Sequence, residues 1–254
     1  MRVHVVSDVH GRVDALATAG TGADALLCLG DLLLFVDYAD HGAGIMGELF
    51  GPAAVRDYVT MRTAGRYAEA SAFTRSLWAE LPDPDAVLQT AVYRQYAAMF
   101  AAFPTPTYLT YGNVDVPAVW PRFARDGVHV LDGTTADLGG WRFGFVGGGL
   151  RSPMRTPCEI DDDVFAAKVA AVGAVDVLCA HIPPAVPELT YDVLARRFER
   201  GSEALLAAVV RTQPRYLLFG HVHQPLQRRF RIGRTECIKV GHFRGSGRPY
   251  VLQW

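Results

Sequence analysis

Lysine is almost missing from this chain. Only Lys168 and Lys239 among its 25 basic residues carry an ammonium group, and the rest are arginines. An excess of either charge is missing too. The 25 Lys+Arg stand against 26 Asp+Glu, so the formal charge is −1. That excludes the basic surplus on which general nucleic-acid and membrane-surface binders rely. No apolar run reaches the length of a membrane span, and residues 32–36 are bounded by Asp31 and Asp37. The first residues have no apolar leader core behind a basic start, and they read as a strand. The four cysteines, Cys28, Cys158, Cys179 and Cys237, form no CxxC pair. Cys28 and Cys179 lie in apolar runs and read as small buried hydrophobes, so a reduced, cytoplasmic chain is expected. Apolar residues are plentiful: 50% of the 254 residues are hydrophobic and 20% charged, which excludes a disordered chain and suffices for a sizeable core.

Short apolar runs that end in polar residues recur along the sequence. Residues 3–6 end at Ser7-Asp8, 25–29 at Gly30-Asp31, 108–111 at Gly112-Asn113, 175–180 at His181, and 216–219 at Gly220-His221. Each run is rich in Val, Leu or aromatics and bounded by turn formers, as buried strands are. Open α/β sheets place ligands at the carboxyl ends of such strands. Helices are expected between them: over 13–19, after the acidic triplet Asp161-Asp162-Asp163 up to Val172, and over 202–211 with Ser202 as N-cap. Residues 141–146 and 228–232 alternate in the strand manner.

About 80 residues separate Asp31 from Asn113, longer than an ordinary connection between such strands. Gly51-Pro52 is expected to open a helix to about Leu81, and Asp83-Pro84 a second one that Pro104 ends. Residues 36–103 thus read as a helical hairpin inserted into a single domain spanning 1–254. Its stripe Leu88, Val92, Tyr96, Met99 and Phe103 is expected to pack on the body, with homo-oligomer formation or a lid as the second use. The Gly-rich stretch 40–51, carrying His41, reads as a loop that lines one wall of the site and gates substrate size.

Taken together, the strand-end residues are Asp8 and His10, Asp31, Asn113, His181, His221 and His223. This mixed set of oxygen and nitrogen donors suits first-row transition ions better than Mg²⁺ or Ca²⁺. Seven ligands are too many for one tetrahedral site and fit two adjacent ions that share a carboxylate. Mn, Fe, Zn, Co and Ni are all compatible.

The segments Ser-Asp8-Val-His10-Gly11, Gly30-Asp31, Gly112-Asn113-Val114-Asp115, Ala-His181-Ile-Pro-Pro184 and Gly220-His221-Val-His223-Gln-Pro225 stand in one order. In that order the chain resembles the calcineurin-like metallophosphoesterases. The resemblance implies an α/β fold, a four-layer αββα sandwich of two mixed sheets flanked by helices, with a dinuclear centre at the strand ends. It implies that Asp8, His10 and His223 hold one ion, that Asn113, His181 and His221 hold the other, and that Asp31 bridges them. The implied reaction is phosphoester hydrolysis by a metal-activated hydroxide attacking phosphorus in line. Asn113, His181 and Asp115 are the candidate catalytic residues. The substrate implied is a small phosphoester, with nucleic acid only as a short substrate.

The chain departs from the pattern at one place. Many relatives read Gly-Asn-His-Asp/Glu, where the histidine contacts phosphate and protonates the leaving oxygen. This chain has Val114. Members without that histidine resemble small phosphodiesterases, so a diester is the expected substrate. Asp115 is then either a structural acceptor or a residue steering Asn113. His4 and His129 read as structural, and His41 and His242 as solvated loop residues first, with a reach into the cleft in place of the missing histidine as the alternative. Arg228, Arg229, Arg231 and Arg234 read as a solvated face, and Gly147-Gly148-Gly149 as a tight strand exit. The competing class is a binding scaffold on the same fold. A scaffold is expected to lose metal ligands, whereas this chain keeps all seven, which favours an enzyme.

Overall fold

The computed structural model describes residues 1–153 and 155–254. In chain order its elements are β1 (Arg2–Val6), α1 (Val13–Thr18), β2 (Ala25–Cys28), α2 (Gly44–Thr63), α3 (Tyr67–Ala79), α4 (Pro84–Ala102), β3 (Thr107–Leu109), β4 (Val128–Val130), β5 (Thr134–Leu138), β6 (Trp141–Val146), β7 (Gly149–Leu150), β8 (Glu159–Ile160), α5 (Asp162–Val172), β9 (Val177–Ala180), α6 (Pro187–Thr190), β10 (Tyr191–Asp192), β11 (Arg197–Phe198), α7 (Glu203–Thr212), β12 (Tyr216–Phe219), β13 (Arg229–Ile232), β14 (Thr235–Lys239), α8 (Phe243–Ser246) and β15 (Tyr250–Gln253). The chain divides into two compact units, Met1–Leu32 with Phe100–Trp254, and Leu33–Met99.

The first unit is built on two mixed sheets. One has the order β15-β1-β2-β3-β4, and the other β13-β14-β12-β9-β6-β5. In the first sheet β1, β2, β3 and β4 run parallel, and β15 closes the edge antiparallel to β1. In the second, β6, β9, β12 and β14 are parallel, with β5 and β13 antiparallel at the two edges.

Alternation along the strands decides where each side chain is buried. Val3, Val5, Ala25 and Leu27 of the first sheet meet Phe143, Phe145, Val177, Cys179, Leu218 and Ile238 of the second in one apolar layer. The opposite face of the second sheet, with Leu178, Ala180, Leu217 and Phe219, packs on Phe165, Val169 and Val172 of α5 and on Leu205, Ala208 and Val209 of α7. On the outer side of the first sheet, His4 Nδ1 lies 2.7 Å from the carbonyl oxygen of Ala19, just past α1. The result is the four-layer αββα sandwich. All four cysteines are buried and free.

The second unit is helical. Its two expected helices are three, because the stretch expected over 52–81 is broken at Gly65, whose φ is +74°. The Gly-rich stretch 40–51 is not a loop throughout: α2 starts at Gly44 and is interrupted at Gly51, where φ is +79°. Phe35 stacks on Trp78 at 6.2 Å and Phe50 meets the same ring edge-on at 5.1 Å. Gln95 brackets the Leu34 backbone, its Oε1 accepting from Leu34 N–H at 2.9 Å and its Nε2 donating to Leu34 O at 3.0 Å. Asp83 caps α4, accepting from the Ala86 N–H at 3.1 Å. Among the described residues no helix is long and apolar enough to cross a membrane.

Helix α7 starts at the expected cap. Ser202 has extended backbone, and its Oγ accepts from Leu205 N–H at 3.2 Å. Ser202→Ala leaves that buried donor without a partner. It should lower unfolding stability by about 0.5–2 kcal/mol, read as a lower denaturant midpoint at unchanged metal content.

Candidate metal centre

Parallel alignment puts the carboxyl ends of β1, β2 and β3 on one side of the first sheet, and those of β9, β12 and β14 on one side of the second. The turns leaving these ends meet. Gly220 N–H donates to His181 O at 2.8 Å, and His181 Nδ1–H donates to Leu29 O at 2.8 Å. The backbone N–H of His221 donates to Asp8 Oδ1 at 3.0 Å. Close approach needs glycine at two of these turns. A Cβ on Gly112 would lie 2.0 Å from Asp31 Oδ1, and one on Gly220 1.8 Å from Ser7 Oγ.

Four of the seven expected site residues have left-handed backbone: Asp8 (φ 57°), His10 (41°), Asp31 (56°) and His221 (68°). Non-glycine residues enter that region at a cost of about 1–3 kcal/mol each, and persist there only where the surroundings over-determine them. Here the hydrogen bonds Asp8 N–H to Gly30 O (3.1 Å), His10 N–H to Asp31 O (2.9 Å) and Arg244 N–H to Asp8 O (3.0 Å) hold the first three, and His221 N–H to Asp8 Oδ1 (3.0 Å) holds the fourth.

The side chains form two adjoining groups around Asp31. On one side, His181 Nε2 lies 3.3 Å from Asp31 Oδ2 and 3.1 Å from Asn113 Oδ1, and His221 Nδ1 lies 3.0 Å from the same Asn113 oxygen. Donors about 3 Å apart are spaced as ligands of one ion with bonds of about 2.0–2.2 Å. On the other side, His10 Nε2 is 3.8 Å from Asp31 Oδ2. Asp8, His10 and Asp31 each offer a ligand atom within 4.8 Å of the others. The His10 and His223 rings meet edge-on with centroids 5.7 Å apart. All seven expected residues are thus brought together, and their donor set fits a pair of transition ions.

Supporting contacts orient the set. Asn113 Nδ2 donates to Thr156 Oγ1 at 2.9 Å, which leaves Oδ1 turned to the two imidazoles. Asp115, a candidate catalytic residue in the sequence, is fully buried and its carboxylate is engaged by backbone. Oδ2 accepts from the N–H groups of Asp31 (2.8 Å) and Gly112 (2.9 Å), and Oδ1 from that of Leu32 (3.0 Å). Its carboxylate joins the loop of Asp31 to the loop of Asn113. Val114 gives its N–H to Asp31 Oδ1 at 3.0 Å.

Two further residues belong to the constellation. Lys239 is buried at the end of β14, and its Nζ lies 2.6 Å from Asp8 Oδ2. His242, expected in solvent, stacks on His223 with centroids 4.0 Å apart and an interplanar angle of 17°, and meets His10 at 6.0 Å. A signal for it is present in the sequence: Gly241-His242 follows a strand as Gly220-His221 does.

Burial opposes charge on Asp8, yet Lys239 and the imidazoles of His223, His181 and His10 hold its carboxyl well below the usual range. Burial raises Asp115, and the neighbouring Asp31 carboxylate adds to that. Burial pushes His221 down, and the positive His181 beside it pushes the same way. Burial also disfavours charge on both Asp31 and His181, but their mutual attraction wins: Asp31 falls below the carboxylate range and His181 rises above the imidazole range. With both ring nitrogens of His181 donating, the metal-free site carries a proton where a ligand lone pair is needed. His181 therefore stabilises the metal-free fold fully below about pH 6.5, and that contribution is lost as pH rises through its raised value. Asp31 contributes above about pH 3.9, lost as pH falls through its lowered value. The melting temperature of chelator-treated protein should decline on the alkaline side of pH 6.5. His181→Ala should flatten that decline, and an unchanged pH profile in this variant would count against the ion pair.

The comparisons with known proteins bear on the fold and the family. No curated protein sequence matches the chain. Among solved structures, TT1561 of Thermus thermophilus superposes with a TM-score of 0.57 at 15% identity, covering 99% of this chain and 98% of that one, which is a likeness of fold. The model of the calcineurin-like phosphoesterases matches residues 1–225, from the first strand through the last of the ordered motifs. The chain belongs to the calcineurin-like phosphoesterase family, a family of metal-dependent phosphoester hydrolases.

Proposed function

We propose that this chain is a dinuclear-metal phosphodiesterase acting on small substrates. The observation that carries the reading is the Asp31 carboxylate standing between two donor groups, 3.3 Å from His181 Nε2 and 3.8 Å from His10 Nε2. Asp8, His10 and His223 would hold one ion, Asn113, His181 and His221 the other, and Asp31 both. Mn, Fe, Zn, Co and Ni all suit the donors. Two such ions, when bound, neutralise phosphoryl oxygens and make a nucleophile of water at neutral pH.

The chain's own residues prepare that site. The Leu29 carbonyl fixes the His181 ring so that Nε2 faces Asn113 and Asp31. Thr156 holds the Asn113 amide, and Asp115 ties the two ligand-bearing loops together through backbone N–H groups. Val114 offers neither proton nor charge to a leaving oxygen. That supports a diester reading, because relatives lacking this histidine resemble small phosphodiesterases. The near-neutral charge of the chain favours a small substrate over a polynucleotide.

Two experiments test the reading. The purified protein should carry two ions per chain by elemental analysis and turn over bis-p-nitrophenyl phosphate with added Mn²⁺. Asp31→Ala should lose both turnover and occupancy; full activity in that variant would sink the dinuclear arrangement, and two ions without turnover would point to a scaffold. The second is a leaving-group series. General acid catalysis is worth about 10²–10⁴-fold, so its absence at Val114 should give a steep loss of kcat from aryl to alkyl esters. Val114→His should raise kcat for alkyl esters more than for aryl ones. A shallow dependence in the native protein would mean that another group supplies the proton.

A further inference from the structure

The carboxylate of Asp8 is already in use. Its Oδ2 is 2.6 Å from the buried ammonium of Lys239, which also donates to Gly241 O at 2.8 Å, and its Oδ1 accepts the His221 N–H at 3.0 Å. A carboxylate so engaged is a poorer donor to an ion than one facing it with both oxygens available. Beside it stands an imidazole that the family motifs do not contain. His10, His223 and His242 each offer a ring nitrogen, all within 4.8 Å of one another.

The position of His242 is built rather than incidental. It precedes α8, and the next two residues are fastened to the turn that carries Asp8: Phe243 N–H donates to Ser7 O and Arg244 N–H to Asp8 O, both at 3.0 Å. The Arg244 guanidinium donates to His10 O at 2.6 Å, which fixes the backbones of His10 and His242 to each other.

We propose that His242 turns out of its stack on His223, in which the near-parallel rings (17°) do not aim both in-plane lone pairs at one ion, and becomes a ligand of the ion on the His10 side of Asp31, forming with His10 and His223 a three-imidazole site in which Lys239 offsets the charge of Asp8. This rests on the dinuclear reading and changes what one half of the centre selects. Three imidazoles and the Asp31 carboxylate make a nitrogen-rich donor set. Such a set favours Zn²⁺, Co²⁺ or Ni²⁺ over Mn²⁺ and Mg²⁺, which prefer oxygen-rich surroundings.

The test is metal binding by chelator-stripped full-length protein, titrated with Zn²⁺ and with Mn²⁺ and followed by native mass spectrometry and competition with a chromophoric chelator. The wild type should take two Zn²⁺ per chain. His242→Ala should keep one Zn²⁺ at wild-type affinity and bind the second at least about tenfold more weakly, with a smaller loss for Mn²⁺, so that the preference for Zn²⁺ falls. Histidine ¹⁵N NMR of the wild type covers the case in which this variant folds poorly: a His242 ring nitrogen should shift on zinc loading, its signal assigned with His242→Gln. Two zinc ions bound at wild-type affinity by His242→Ala, or His242 signals unmoved at full loading, would overturn the proposal alone. A wild type that takes no zinc would overturn the dinuclear reading with it.

Discussion

Three backbone N–H groups from two separate loops converge on the buried carboxylate of Asp115, and the centre depends on that convergence. Asp31 and Leu32 come from the turn after β2, and Gly112 from the turn after β3. Neighbouring parallel strands bring these turns side by side but do not fix their mutual height. A charged acceptor shared between them does, because leaving any of those N–H groups buried and unpaired costs about 1–3 kcal/mol. The cost of burying Asp115 next to Asp31 is visible in its raised pKa. What it secures is the relative placement of the two turns that carry Asp31 and Asn113.

The metal-free site is itself organised. The Asp31–His181 ion pair and the Lys239–Asp8 ion pair place positive charge beside carboxylates that would otherwise be buried bare. Buried charges tolerate burial only when paired. The two pairs are placed differently: His181 with Asp31 lies among the donors themselves, whereas Lys239 with Asp8 joins the end of β14 to the turn after β1.

Much of this is legible in the sequence because strand ends are punctuated by residue types that strands do not otherwise tolerate. Ser7-Asp8, Gly30-Asp31 and Gly220-His221 mark positions where an apolar run meets a polar turn, and the structure places all three at the centre. Ser202 and Asp83 are readable as caps because capping is local. Less legible is whatever depends on partners distant along the chain. Lys239 stands out in the sequence only as one of two lysines, and only its meeting with Asp8 gives it meaning. His242 reads as a loop residue because nothing adjacent reveals that α8 is fastened to the Asp8 turn. Asp115 reads equally as an acceptor or a steering group, since its three donors are backbone groups that no residue identity announces. The helical unit departs from its sequence pattern where glycine decides the outcome: Gly65 breaks a helix the pattern would have continued, and Gly51 interrupts one that begins earlier than expected.

The pairing of Asp8 with Lys239 joins residues 231 positions apart. On a ribosome, therefore, Asp8, His10 and Asp31 emerge long before the residues that complete their surroundings. At about 5–20 residues per second, the interval is on the order of ten seconds or more. During that time the early donors sit on a partial chain without the second sheet, the Leu29–His181 bond or the ammonium. The full set of surroundings therefore exists only after His242 has been made, and an ion met earlier finds only the early donors.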